Sequence, residues 1–98
     1  MAVEFINSAE VADKTKGARV TIVNITASWC GPCKMMAPIL EEIEAAGTPV
    51  FKVDVDTNQE FAKELEVKGV PTTLIYKDGK IVNRVEGFVP KQVLETKI

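Results

Sequence analysis

The sequence predicts an α/β protein built on one mixed sheet with helices on both faces, in the order βαβαβαββα. Three observations carry that prediction. Arg19 to Thr26 and Val50 to Asp54 are apolar, β-branched runs of the kind found in strands buried on both sides. Between them, Met36, Ile39, Leu40 and Ile43 fall at i, i+3, i+4 and i+7, the stripe of a core-facing helix. Later, Asp78-Gly79 separates two further strand-like runs and is a strong signal for a two-residue hairpin. A strand–helix–strand crossover is right-handed and makes its strands parallel. A tight hairpin adds an antiparallel pair, so the sheet must be mixed.

The elements follow in order. Val3 to Ile6 reads as a short first strand. Asn7 and Glu10 have capping-box spacing and open a short helix that runs to about Lys16 and stops at Gly17. Arg19 to Thr26 is the central strand. After a turn at residues 30–33, a helix spans Pro32 to Ala46: Pro32 suits its first position, Pro38 is expected to kink it, and Gly47 ends it. Val50 to Asp54 is the next strand. Thr57 and Glu60 again have capping-box spacing, before a helix with Phe61 and Leu65 on one face. Thr72 to Tyr76 and Lys80 to Val85 flank the hairpin turn, and Pro90 begins a short terminal helix. No repeat or linker interrupts the chain, and 98 residues fit a single domain, 1–98.

Composition narrows the function. An apolar content of 46% with 27% charged residues is that of a compact globule able to bury a core. The formal charge of −2, with no cluster of Lys or Arg, argues against nucleic acid as a partner. No apolar run approaches the length of a membrane span. The start, Met1 to Phe5, has neither a basic n-region nor an apolar h-region, so the expected location is the cytoplasm.

The chemistry concentrates at Trp29-Cys30-Gly31-Pro32-Cys33-Lys34, which holds the only two cysteines of the chain. Cys30 falls at the junction of a strand and a helix. There, unpaired backbone N–H groups and the positive end of the helix dipole favour a thiolate. Cys33 lies about one turn on and faces back toward it. The pair can close a disulfide or open to a dithiol with little backbone movement, which makes it a two-electron switch. A purely stabilising disulfide is a weak alternative, because so small a loop removes little chain entropy. Half of a zinc site is the other alternative. The sequence has no histidine and no third cysteine to complete one. Gly31 and Pro32 carry no charge that would hold the thiolate and favour the reduced form, so the dithiol is expected to donate electrons.

These residues resemble the thioredoxin family, and the resemblance covers essentially the whole chain. It is sharpest at Trp29 to Met35, Ala37-Pro38-Ile39-Leu40, Gly69-Val70-Pro71-Thr72, Lys77-Asp78-Gly79 and Gly87. It implies a five-stranded mixed sheet with four helices, and a monomer that reduces disulfides in other proteins. No cofactor is implied on the chain itself. The resemblance further implies that the electrons come from NADPH through a flavin-dependent thioredoxin reductase.

The resemblance also assigns roles. Cys30 is the nucleophile that forms a mixed disulfide with the target, and Cys33 resolves it. Pro71, trans on residue statistics alone, is implied to be cis and to lie beside the redox pair. Val70 is then placed to bond an extended target chain. Trp29, Gly31, Pro32, Val70, Gly87 and Phe88 form the candidate docking rim, with core packing the competing reading for Trp29 and Phe88. Asn24 departs from the pattern: a buried aspartate that accepts the proton of the second cysteine is usual there. Thr26 replaces a flanking aromatic residue. Lys52 matches a lysine normally close to that aspartate, and with Asn24 it loses its charge partner. Two other function classes stay open on sequence: a docking module in which the cysteines are incidental, and a disulfide oxidase or isomerase.

Overall fold

A computed structural model describes residues 3–98. Its strands are β1 (Glu4–Phe5), β2 (Val20–Thr26), β3 (Val50–Asp54), β4 (Thr72–Lys77) and β5 (Lys80–Glu86), and its helices are α1 (Val11–Lys16), α2 (Gly31–Ala45), α3 (Gln59–Glu64) and α4 (Lys91–Glu95). The five strands form one sheet in the order β1-β3-β2-β4-β5. The first three are parallel and β4 and β5 are antiparallel. The predicted mixed sheet is therefore present, with β2 at its centre.

Alternation along β2 makes it the hub of two cores. Ile22 packs with Met36, Leu40, Ile43, Val50 and Leu94 on the side covered by α2 and α4. Val23 and Ile25 point the other way, toward Val11, Val53, Leu74 and Phe61 on the side of α1 and α3. Successive side chains of a strand face opposite ways, so a strand covered on both faces must be apolar at nearly every position. Thr21, Asn24 and Thr26 are the buried polar positions of β2, and Asn24 is the one that breaks the apolar stretch Ile22 to Ile25.

Local chemistry sets the element ends. The Asn7 N–H donates to Glu10 Oε1 at 3.1 Å, and the chain first makes a short 3-10 turn, Ser8–Glu10, before α1. At the hairpin Asp78 and Gly79 have φ of 52° and 82°, the paired left-handed conformation whose twist matches antiparallel strands. Opposite Ile75 and Tyr76, β5 carries one extra residue and bulges. Pro38 lies inside α2, where it deprives the Lys34 carbonyl of its helical donor, yet α2 runs from Gly31 to Ala45.

The start of α3 differs from the sequence expectation. Thr57 and Glu60 form no capping box. Instead Asp54 caps a 3-10 turn, Val55–Thr57, its Oδ1 accepting the Asp56 N–H at 2.8 Å. Asn58 then precedes α3, and its Nδ2 donates to the Asp54 carbonyl at 2.8 Å. Short Asp and Asn side chains close local turns more readily than a threonine two residues into the same loop. Among the described residues no helix is long and apolar enough to cross a membrane.

Candidate active site

The site is assembled where β2 ends and α2 begins. Cys30 has extended backbone angles and is the N-cap of α2, and its Sγ accepts the Cys33 N–H at 3.1 Å. Gly31 is the first helical residue and Pro32 the second, within the first turn where backbone N–H groups lack helical partners in any case. The two cysteines are joined as a disulfide, with their Cα atoms 5.3 Å apart. The Cys33 N–H, in the first turn of α2, is positioned to donate to Cys30 as a thiolate. A charge-assisted bond of that kind favours the thiolate over the thiol.

Both cysteines are buried: Cys30 is 4% exposed and Cys33 5%. They pack with Ala27 and against Val55 and Val70. Cys30 Sγ lies 3.5 Å from the Val70 carbonyl oxygen. The Val70–Pro71 peptide bond is cis, and the Pro71 carbonyl accepts the Gly87 N–H at 2.8 Å. The Val70 loop thus meets Cys30 Sγ directly, and the Gly87 turn supports that loop through Pro71.

Around it the surface is apolar and open. Trp29 is 67% exposed, with its indole N–H donating to Asp56 Oδ2 at 2.8 Å. Trp29, Val55, Val67 and Val70 line a depression of about 260 Å³, and a second of about 330 Å³ continues past Val70 to Thr72, Glu86 and Gly87. Gly31 and Pro32 are exposed beside the cysteines. Phe88 is also exposed but lines neither depression. Arg84 braces the loop before Val70: its guanidinium donates to the carbonyls of Leu65 and Glu66 and pairs with Glu86 at 3.1 Å. Nothing in the sequence around Arg84 pointed to that contact, which joins residues about 19 apart.

The polar residues behind the cysteines are arranged unusually. Asn24 is 1% exposed. Its cross-strand neighbour on β4 is Thr73, and Asn24 Nδ2 donates to Thr73 Oγ1 at 3.0 Å. Asn24 Oδ1 has no donor among the described residues. On the other flank Lys52 of β3 is in register with Asn24. Lys52 is half-buried, with its ammonium 5.5 Å from the centre of the Phe5 ring, and it forms no ion pair among the described residues. A cavity of about 180 Å³ opens there, lined by Thr26, Cys33, Lys34, Lys52 and Asp54 among others. Sequence reasoning missed Asp54 and Thr73. Strand register would have found them, since Asp54 is two residues from Lys52 on one face and Thr73 pairs with Asn24.

Comparison with known proteins agrees with this geometry. The Thioredoxin family profile matches residues 3–98. A thioredoxin of Staphylococcus aureus is 41% identical over 97 residues, covering 96% of this chain and 92% of the relative. A mutant thioredoxin from Halobacterium salinarum superposes with a TM-score of 0.89 at 34% identity, covering 99% of this chain and 89% of that one. The oxidized form of mitochondrial thioredoxin 3 from Saccharomyces cerevisiae gives 0.86 at 33% identity, covering 98% and 92%. With the fold, the disulfide at the head of α2 and these relatives in agreement, the chain belongs to the thioredoxin family of protein-disulfide oxidoreductases.

Proposed function

We propose that this single-domain chain is a general cytoplasmic protein-disulfide reductase in which Cys30 attacks and Cys33 resolves. The observation that carries the assignment of roles is the Cys33 N–H held 3.1 Å from Cys30 Sγ at the N-terminus of α2. That contact favours the thiolate at Cys30 specifically. The Cys30 thiolate displaces one sulfur of the target disulfide and forms a mixed disulfide. Cys33, deprotonated, then attacks Cys30, re-forms the internal disulfide and releases the target as a dithiol. Two electrons pass from the chain to the target.

An extended target segment fits along the depressions that meet at Val70, adding its backbone in the manner of strand addition. Trp29, Gly31, Pro32, Val70, Gly87 and Phe88 supply the apolar rim. With uncharged Gly31 and Pro32 between the cysteines, the dithiol is the donating form. Its electrons are drawn from NADPH through a flavin-dependent thioredoxin reductase, and the protein works as a monomer.

Trapping tests this reading. Cys33→Ser forms the mixed disulfide but lacks the thiol that resolves it, so targets accumulate covalently on Cys30 and are identified by mass spectrometry. If the chain were a docking module with incidental cysteines, partners would be captured equally by Cys30→Ser, without a reducible bond. An oxidase or isomerase is separated by the reduction potential measured against glutathione.

Asn24 cannot accept a proton, so deprotonation of Cys33 is slower here than it would be beside a carboxylate. Asn24→Asp is expected to speed single-turnover reduction of a protein disulfide several-fold near neutral pH, measured by stopped flow. An unchanged or lower rate would refute the role given to this position.

A further inference from the structure

Resolution of the mixed disulfide requires Cys33 as a thiolate, because the thiol is a poor nucleophile. Its proton must therefore leave a buried side chain, Cys33 being 5% exposed as a residue. The neighbouring strand position that faces the α2 side offers only Asn24, which is already bonded to Thr73 and has no basic atom. The open route is the cavity of about 180 Å³ that Cys33 shares with Thr26, Lys34, Lys52 and Asp54. That volume accommodates water, which needs only about 10–15 Å³ and two or more polar partners. Of the titratable groups on this cavity, Lys34 and Lys52 are cations at neutral pH and cannot accept a proton. Asp54 is the single carboxylate lining it. The next carboxylate along the chain, Asp56, is engaged by the Trp29 indole.

We propose that Asp54 takes up the proton of Cys33 through water in this cavity, and so performs from β3 the proton handling that Asn24 cannot perform from β2. The proposal rests on the reductase reading above. One oxygen of Asp54 is occupied by the Asp56 N–H, and the other has no protein partner among the described residues. Lys34 and Lys52 favour the Cys33 thiolate by their charge. In the step itself the proton of Cys33 passes by water to the Asp54 carboxylate. The sulfur lone pair then forms the Cys33–Cys30 bond as the bond from Cys30 to the target sulfur breaks. The target thiolate leaves with that electron pair and is protonated by Asp54 or solvent.

The test is single-turnover stopped flow of the full, reduced chain with excess peptide disulfide, followed from about pH 6 to 9. The second-order phase reports attack by Cys30, and the first-order plateau reports resolution by Cys33. Asp54→Asn keeps a residue equally able to cap the Val55–Thr57 turn. It is expected to lower the plateau rate by about tenfold or more near pH 7, within reach of what general-base groups contribute. The plateau should become steeper with pH as hydroxide takes over, while the second-order phase stays within about twofold. Adding Asn24→Asp to that variant is expected to recover the plateau rate. A plateau and pH profile unchanged in Asp54→Asn would overturn the proposal, as would an equal loss in both phases, which marks a general disturbance of the site. If the unaltered chain shows neither phase, the reductase reading fails and the proposal with it.

Discussion

Cys30→Ser reduces turnover of a protein disulfide to the uncatalysed background. A serine hydroxyl is not ionised at neutral pH and does not displace sulfur from a disulfide, whereas the thiolate does so readily. The N-cap geometry of α2 survives the change, since serine is itself a preferred N-cap. Cys33 remains, but it sits inside the first turn of α2 and lines the inner cavity with Lys52 and Asp54, away from the docking rim. Insulin reduction by the variant, with dithiothreitol as electron source, checks the expectation. Turnover above a tenth of the unaltered rate would mean that Cys33 attacks targets itself, and the order of the two sulfurs would have to be reversed. Stability should change far less than activity. The disulfide closes a loop of only a few residues, so its entropic contribution lies below the roughly 3 kcal/mol of a 15-residue loop.

Leu40→Ala is expected to have the largest effect on stability, lowering it by about 2–5 kcal/mol. Leu40 is fully buried on the inner face of α2, in the cluster that contains Ile22, Met36, Val50 and Leu94. Removing its isobutyl group costs the transfer energy of the lost carbons and leaves a void that α2, pinned at Cys30, closes only in part. For a domain of this size each kcal/mol moves Tm by about 4–8 °C. A loss at the upper end approaches the whole stability of an ordinary domain. Ile81→Ala, on the exposed side of β5, is the matching control and should cost less than about 0.5 kcal/mol. Urea melts of both variants test the pair. A cost below about 1 kcal/mol for Leu40→Ala would show that α2 is not anchored through this stripe.

Much of the fold was readable because its signals are local. The stripe Met36, Ile39, Leu40, Ile43 marks a helix by its period, and Asp78-Gly79 marks a hairpin by its tolerance of positive φ. The apolar run of β2 marks a strand with both faces covered. The start of α3 was less readable. Thr57 and Glu60 have the right spacing, but Asp54 and Asn58 compete for the same backbone groups and form the turn that is observed. The boundary of β1 moved for a different reason. Its partner β3 lies far along the chain, and pairing with it decides which residues count as strand.

The candidate site divides in the same way. Cys30 and Cys33 were identifiable from two-residue spacing at a strand–helix junction, because the chemistry of the pair depends on neighbours within one helical turn. The surroundings that tune the pair depend on contacts between distant segments. Arg84 braces the loop before Val70 from another strand, Trp29 is steadied by Asp56, and Asn24 is satisfied on one side by Thr73.

By itself, then, the amino-acid sequence determined the element order, the redox pair, its N-terminal placement on a helix and the loss of a carboxylate at Asn24. The first three are properties of residue type and short spacing; the fourth is legible only through the resemblance to the thioredoxin family. Only the tertiary structure decided that Thr73 is the partner of Asn24 and that Asp54 shares a cavity with Cys33. The physical reason is register: which strand lies beside β2, and in which direction, is settled by burial summed over the whole sheet rather than by any one segment.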